Sequence, residues 1–422
     1  MINEQSLTHF EPLGKALLKP IYKDYSFGNV ANTVHFLLTG ERLGNLLPTD
    51  CFGGEYPKPR NVVLFLLDAF GWQSWKRYGE RFAATRKIMH EGVLTPVSAL
   101  FPSTTSASIS TINLGVLPAR HALYEWGIYI PDYGEVIQSL PFTPLGTHER
   151  ELCQMSGYDP LKLLAVHETV YQRLTRHGVN SMQFLKADLT RSSYNTIVSQ
   201  GAHLVPHDTL AEGLLQVRQA VETAEGRNYF YFYWPSVDTI GHKYGPGSDF
   251  HAAESEAYWL TFESILGGLK RPDTLFFFLA DHDQVLGRRD DTIYINEQLP
   301  QLVDSLPVSP SGKTIWPNGS PRDMFLHVKP ERREETLALL SENYGEIANI
   351  MMVDEALSLG LFGPEPVSDT LRARLGDILV LPHDGEFIFW RERDVMENRS
   401  QGHHGGLAAP ELITAFAAID HL

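Results

Sequence analysis

Cysteine is nearly missing from this chain: 422 residues carry only two, Cys51 and Cys153. Two thiols cannot build a disulfide framework or a cysteine-ligated zinc site, and they suit a reducing compartment. Long apolar runs are lacking as well. No stretch approaches the ~20 residues of a membrane-spanning helix, so no membrane partner is expected. The opening MINEQSLTHFEPLGKALLKP has no basic start followed by an apolar segment, so no secretory leader is read there. The cytoplasm is the expected location. Positive charge is scarce too: 35 lysines and arginines face 51 aspartates and glutamates, a net charge of −16. Such a field repels polyanions and excludes a broad nucleic-acid surface. A small anion still fits where local cations override it. There is no internal repeat or low-complexity tract, and nothing in the sequence sets an oligomeric state.

What is present describes a folded protein. With 43% hydrophobic and 20% charged residues the chain can bury a core. Its length suits one large elaborated domain or a core with a smaller lobe. Three nearly continuous apolar runs, NVVLFLL (61–67), YFYFYW (229–234) and TLFFFLA (274–280), read as strands buried on both faces. Helix-like segments at 206–224 and 249–269 alternate with them, which predicts an α/β architecture with a largely parallel sheet. In such sheets the chemistry collects at the carboxyl ends of the strands. Residues 284–375 have another texture, with turns (SLPVSPSGKTIWPNGSPRD), a strand (MFLHV) and a helix (PERREETLALLSENYG). They are expected to form an inserted, cap-like α+β lobe on a core made of 1–283 and 376–422. The run DILVLP (377–382) is expected to resume the core.

Acidic residues and histidines gather where these strands end. Asp68 follows the first run, Asp238 and His242 follow the second (WPSVDTIGHKYG), and Asp281-His282 end the third (FLADHDQV). Near the C-terminus stands His403-His404 in QGHHGGL. Singly, each reads as an ordinary turn or cap residue. Together, carboxylate oxygens and imidazole nitrogens suit zinc, manganese or iron better than calcium or magnesium. Clustered acids at a sheet edge also need a compensating charge, which divalent ions provide. The stretch FPSTTSASISTINL (101–114) adds seven serines and threonines among fourteen residues. A hydroxyl becomes a nucleophile at neutral pH only when a base or a metal activates it, and this loop contains no histidine.

The combined pattern resembles the alkaline phosphatase superfamily, and within it the nucleotide pyrophosphatase/phosphodiesterase branch with its phosphonoacetate hydrolase-like relatives. The resemblance rests on Pro102, Thr105, Gly115, Pro118 and His121 in FPSTTSASISTINLGVLPARH, together with the ordered aspartates and histidines. It implies a three-layer α/β/α sandwich with a largely parallel central sheet. It also implies two divalent metal ions, one held by Asp68, Thr105, Asp281 and His282 and the other by Asp238, His242 and His404. His404 is preferred over His403 because the family places histidine directly before glycine. Thr105 would then attack phosphorus in line to give a phosphothreonine that water hydrolyses. The other hydroxyls of the loop are expected to cap a helix and solvate the turn.

The implied activity is metal-dependent hydrolysis of a phosphodiester or pyrophosphate bond in a small molecule. The alternatives are a phosphonate hydrolase with the same metal site and a catalytically silent metal-binding interaction protein. No arginine stands beside Thr105 to hold the extra charge of a monoester, and no C/S-x-P-x-R sulfatase motif surrounds it. Ser108, one turn after Thr105, offers a hydroxyl and no amide, and Ser106 stands next to Thr105 with no aromatic ring. Ser108, Tyr124 and Trp126 are the candidate substrate contacts. Arg322 and Lys313, in the expected lobe, are candidate partners for a phosphate or carboxylate.

Overall fold

In the computed structural model, which describes residues 1–287, 289–310, 312–364 and 366–422, a seven-stranded sheet forms the centre. Its strands are β1 (Asn61–Leu67), β2 (Val93–Ser98), β3 (Val179–Lys186), β4 (His203–His207), β5 (Arg227–Trp234), β6 (Thr274–Leu279) and β7 (Ile413–Ile419). They lie in the order β2-β7-β6-β1-β5-β3-β4. The pairs from β6 to β4 are parallel, and only β7 runs against its neighbours β6 and β2.

The unbroken apolar runs exist because both faces of the sheet are covered. Along β1, Val62, Leu64 and Leu66 enter one core, while Val63, Phe65 and Leu67 enter the other. Strand β5 divides in the same way, Tyr229, Tyr231 and Tyr233 against Phe230, Phe232 and Trp234. The first core is closed by helices α1 (Val30–Thr39), α4 (Thr105–Leu114) and α5 (Val170–Arg176). The second is closed by α2 (Trp72–Tyr78), α3 (Ala83–Glu91), α6 (Leu210–Glu222) and α8 (Asp249–Leu266). The result is the expected three-layer α/β/α sandwich. A period of two along each strand, with apolar side chains at both phases, is what two covered faces require. No helix of the described residues is long and apolar enough to cross a membrane.

A second, antiparallel sheet departs from expectation. It orders Asn318–Ser320, Asp323–Leu326, Ile378–Pro382 and Ala348–Met352. The run at 377–382 therefore joins this small sheet and does not return to the main one. Its Ile378 and Val380 fill a separate core with Met324, Leu326 and Leu340, while Leu379 and Leu381 enter the first core of the main sheet. Main-sheet pairing resumes only at β7. Periodicity could show that 377–382 is a buried strand but not which of two sheets it pairs with.

Phe65 sits at the middle of the second core, 1% exposed, with ring centroids 5.1 Å from Phe262, 5.3 Å from Phe278 and 5.8 Å from Phe232. Phe65→Ala should cost about 3–5 kcal/mol in urea unfolding of the protein. A loss below about 1 kcal/mol would show that this ring cluster does not anchor the sheet.

Candidate functional site

Three neighbouring strands deliver the acidic residues to one edge. Asp68 directly follows β1, Asp281-His282 stand just past β6, and β5 leads into helix α7 (Ser236–Tyr244). On α7, Asp238 and His242 are one turn apart and share a face. Since β6, β1 and β5 are adjacent and parallel, their carboxyl ends coincide, and the three aspartates converge. Thr105 joins them as the first residue of α4, and His404 arrives on the glycine turn that follows Gly402–His403.

The spacing falls into two sets. Thr105 Oγ1 is 3.3 Å from His282 Nε2 and 3.5 Å from both Asp68 oxygens. His282 Nε2 is 3.3 Å from Asp281 Oδ2 and 3.6 Å from Asp68 Oδ1. In the second set His242 Nε2 and His404 Nε2 are 3.1 Å apart, and Asp238 Oδ1 lies 3.4 and 3.6 Å from them. Donors bound to a tetrahedral ion at about 2.0–2.1 Å stand roughly 3.3 Å from one another, so both sets could hold a metal.

Three features of the side chains fit a cation at this place. First, each imidazole turns Nδ1 to a backbone carbonyl: His242 to Gly402 at 2.7 Å, His404 to Ser103 at 2.9 Å and His282 to Asp283 at 3.1 Å. A carbonyl only accepts, so Nδ1 carries the proton and the Nε2 lone pairs face inward. Second, Asp281 Oδ2 is buried with no hydrogen-bond partner. Third, burial and the charges of Asp281 and Asp238 push the Asp68 carboxyl well above its usual range, the signature of clustered acids lacking a countercharge. Burial and the imidazoles of His282 and His242 likewise hold His404 well below the usual histidine range. His403 is engaged elsewhere, with Nε2 3.2 Å from Asn398 Oδ1.

A third group, His35, Glu41 and His177, is also compact: both Nε2 atoms contact Glu41 Oε2, at 3.2 and 3.0 Å. It lacks the carbonyl support of the main site, since His35 Nδ1 is buried without a partner.

The hydroxyl-rich stretch is not a solvated turn. Ser103 donates to Gly406 O at 2.9 Å and accepts from Gly405 N–H, tying the loop to the histidine turn. Gly405 must be glycine. Its φ is +125°, and a Cβ would meet Asp323 Oδ1 at 2.5 Å. Thr104 caps α4 by accepting from Ala107 N–H and donates to Tyr124 O. Ser106, Ser108, Ser110 and Thr111 are buried, Ser110 against Tyr194 OH and Thr111 against His121 Nε2. Only Thr105 is left half-exposed beside the acids.

A cavity of about 670 Å³ opens at Thr105, lined also by Asp68, Asp238, His242 and His404. Of the three candidate substrate contacts, Trp126 lines it and is 45% exposed. Tyr124 does not. Its ring packs on Phe325 and Phe362, and its hydroxyl bonds Asn318 and Arg374 O. Ser108 is fully buried with its hydroxyl unpaired and does not line the cavity either. Arg322 is locked in a buried bidentate pair with Glu411, and Lys313 is paired with Glu135. Neither is free for substrate.

Sequence reasoning missed several supports. Tyr233 OH donates to Asp68 Oδ2 at 2.5 Å, and Gln284 Nε2 donates to Asp238 Oδ1 at 2.6 Å. Both sit within two residues of a strand end or a candidate ligand, a position that could have flagged them. Arg150 and Arg399 line the cavity from distant segments that nothing in the sequence joins.

The comparisons with known proteins agree with this geometry. The family model described as type I phosphodiesterase / nucleotide pyrophosphatase matches residues 62–407. No curated sequence matches the chain. Among solved structures, murine ectonucleotide pyrophosphatase/phosphodiesterase 5, an inactive form in complex with AMP, is 13% identical at a TM-score of 0.60, covering 84% of this chain and 87% of that one. The human counterpart is 15% identical, with a TM-score of 0.60 and coverages of 85% and 87%. Phosphonoacetate hydrolase from Sinorhizobium meliloti, in complex with phosphonoacetate, is 16% identical, with a TM-score of 0.60 and coverages of 87% and 92%. At these identities the likeness is one of fold.

Glu125, which lines the cavity, forms a buried pair of acids with Asp323 behind it. Trp126 N–H donates to Glu125 Oε2, and Ser320 Oγ donates to Asp323 Oδ1 at 2.5 Å and stands 3.2 Å from His404 O. Burial raises Glu125 to about 7. Burial and the charge of Glu125 raise Asp323 well above the carboxylate range. The native pair therefore keeps a proton that the unfolded chain has lost, and stability falls as pH rises from about 4.5 through about 7. In Asp323→Asn the amide stands in for the protonated acid. The melting temperature of that variant, read between pH 5 and 8 at fixed metal concentration, should decline less steeply than that of the parent. Equal slopes would show that the pair does not hold the proton.

Proposed function

Because the chain belongs to the type I phosphodiesterase / nucleotide pyrophosphatase family, we propose that it hydrolyses a phosphodiester or pyrophosphate bond in a small molecule, with Thr105 as the nucleophile. The observation that carries this reading is the setting of Thr105. Half-exposed where the other hydroxyl residues of the loop are buried, it lines the cavity within 3.5 Å of Asp68 and His282, at the first residue of a ten-residue helix whose positive end favours a phosphate.

The family is metal-dependent. On our reading Asp68, Thr105, Asp281 and His282 hold one divalent ion, and Asp238, His242 and His404 hold the other. Zinc suits this nitrogen and carboxylate set best, with manganese and iron as the alternatives. Bound ions supply the charge that lowers the hydroxyl pKa and offsets the negative charge on the leaving oxygen. Thr105 Oγ1 forms a bond to phosphorus as the bond to the leaving group breaks, giving a phosphothreonine. Water then adds to the same phosphorus and frees the threonine. Tyr233 and Gln284 keep the Asp68 and Asp238 carboxylates oriented, and the three carbonyls keep each imidazole in one tautomer. The fold shared with phosphonoacetate hydrolase supports a second reading, cleavage of a carbon–phosphorus bond at the same site. We also place the protein in the cytoplasm, a reading supported by two buried, unbridged thiols.

The test is hydrolysis of bis-p-nitrophenyl phosphate beside p-nitrophenyl phosphate and phosphonoacetate, with metal analysis of the same sample. Faster diester cleavage with about two ions per chain is expected. Cleavage of phosphonoacetate alone would select the second reading, and bound metal without turnover would select a binding role. Thr105→Ala should lose about 10³-fold or more in kcat while keeping most of its metal, and normal turnover in that variant would remove Thr105 from the mechanism. Asp238→Ala and His404→Ala should each lower the metal content. Two ions per chain in either would refute the ligand assignment.

A further inference from the structure

The cavity beside Thr105 is far larger than a phosphate needs. At about 670 Å³ it falls in the range that encloses whole drug-sized molecules. Beyond the acidic edge its walls are apolar, with Ile109, Leu140, Leu145, Leu189, Phe389 and Met396 among them, and Trp126 stands exposed on one side. These walls come mainly from segments 125–150 and 389–400, not from the whole of the lobe at 284–375. The two segments meet each other: a Cβ on Gly146 would lie 2.9 Å from Val395 Cα.

Two exposed guanidinium groups line the same space, Arg150 from the first segment and Arg399 from the second. Among the described residues neither makes a hydrogen bond or an ion pair. Buried arginines elsewhere in the chain are committed, Arg322 to Glu411 and Arg374 to three carbonyls, as is the half-buried Arg227 to Leu38 O and His177 O. The exposed Arg120, Arg191 and Arg393 have no side-chain partner among the described residues either, but none of them lines this cavity. Glu397, the acid nearest Arg399 in sequence, is paired with Arg391. The lining also holds Asp68, Glu125, Asp238 and Glu397, so in a chain of net charge −16 the two uncommitted guanidinium groups are what an anion could meet there. A guanidinium recognises carboxylate or phosphate through paired hydrogen bonds.

We infer that the substrate, on the diesterase reading above, is a phosphodiester whose larger substituent has an apolar or aromatic body filling the cavity and a second anionic group at its far end, bound by Arg150 and Arg399. Phosphonoacetate fits this description poorly. Its carboxylate is two bonds from phosphorus, and it has no body to occupy the apolar walls.

The test uses metal-loaded enzyme and four p-nitrophenyl phosphodiesters, whose second ester group is methyl, phenylbutyl, or phenylbutyl ending in a carboxylate or a phosphate. The value of kcat/KM should rise about tenfold or more from methyl to phenylbutyl, and again on adding either anion. The two anionic arms then separate carboxylate from phosphate as the terminus. In Arg150→Gln/Arg399→Gln the ratio of kcat/KM for anionic over neutral phenylbutyl esters should drop at least about tenfold, through KM. If that variant does not fold, Arg399→Gln and the salt dependence of the ratio in the parent carry the same comparison, since guanidinium contacts at an open mouth weaken with salt. A methyl ester cleaved as well as the phenylbutyl ester, or an anionic-to-neutral ratio unmoved by the substitutions and by salt, overturns the inference. Failure to cleave any diester, bis-p-nitrophenyl phosphate included, would instead strike the diesterase reading on which it rests.

Discussion

Three aspartates converge at one sheet edge, and the rest of the site is arranged around that repulsion. Asp68, Asp238 and Asp281 come from the ends of adjacent parallel strands, so the topology itself forces them together. With Asp281 fully buried and its Oδ2 unpaired, water does not relieve the charge. Carboxylates so placed are costly unless cations compensate them. The three imidazoles, each fixed by a carbonyl behind it, present Nε2 toward these acids. Three acids met only by neutral donors such as Tyr233 OH and Gln284 Nε2 are organised for a positive guest.

That arrangement depends on the segment 401–411 closing over the sheet edge, and several independent contacts hold it there. His242 O accepts from Gln401 N–H, Ser103 grips Gly405 and Gly406, and Ser320 reaches His404 O. Beneath them Glu411 accepts from the N–H groups of Gly406 and Ala408 and pairs with Arg322, whose other nitrogen bonds His383 O and Glu386 O. A buried ion pair rarely adds much net stability, but every hydrogen-bonding group here is used. Removing one partner would leave a bare charge inside. The pair therefore fixes the position of the small sheet against the turn that carries His404, and Asp323 on that sheet continues the link to Glu125.

Much of this was legible from residue patterns. Unbroken apolar runs marked β1, β5 and β6 and hence the layered fold, because only a sheet covered on both sides tolerates them. The acids after those strands were legible for the same reason: chain direction fixes which end of a parallel strand carries chemistry. Strands β3 and β4 were harder, since VNSMQFLK and HLVPH mix polar and apolar positions near the sheet margin. The pairing of 378–382 with the small sheet was not legible at all, because a buried strand reads alike in either sheet. Tyr124 and Ser108 show the same limit on side chains. Nearness in sequence to Thr105 suggested substrate contact, whereas the helix turn carries Ser108 inward and the loop sends the Tyr124 ring into the core.

The division of labour between edge and wall follows from these origins. Groups that would handle phosphorus sit at strand ends and on one helix terminus, where the sheet and its two cores hold them rigidly. The groups that face the rest of the substrate sit on excursions, 125–150 and 389–400, whose backbones belong to no part of the main sheet. Cavity-facing residues of these excursions, such as Trp126, can change at little cost to the core, whereas Ile128, Ile137 and Phe142 of the first and Trp390 of the second are buried in packed cores. The edge has no such freedom, because moving one aspartate alters the charge felt by the other two. On the proposed chemistry, Trp126, Arg150 and Arg399 are therefore free to differ among chains of this fold, while the tautomers of His242, His282 and His404 stay pinned by the backbone.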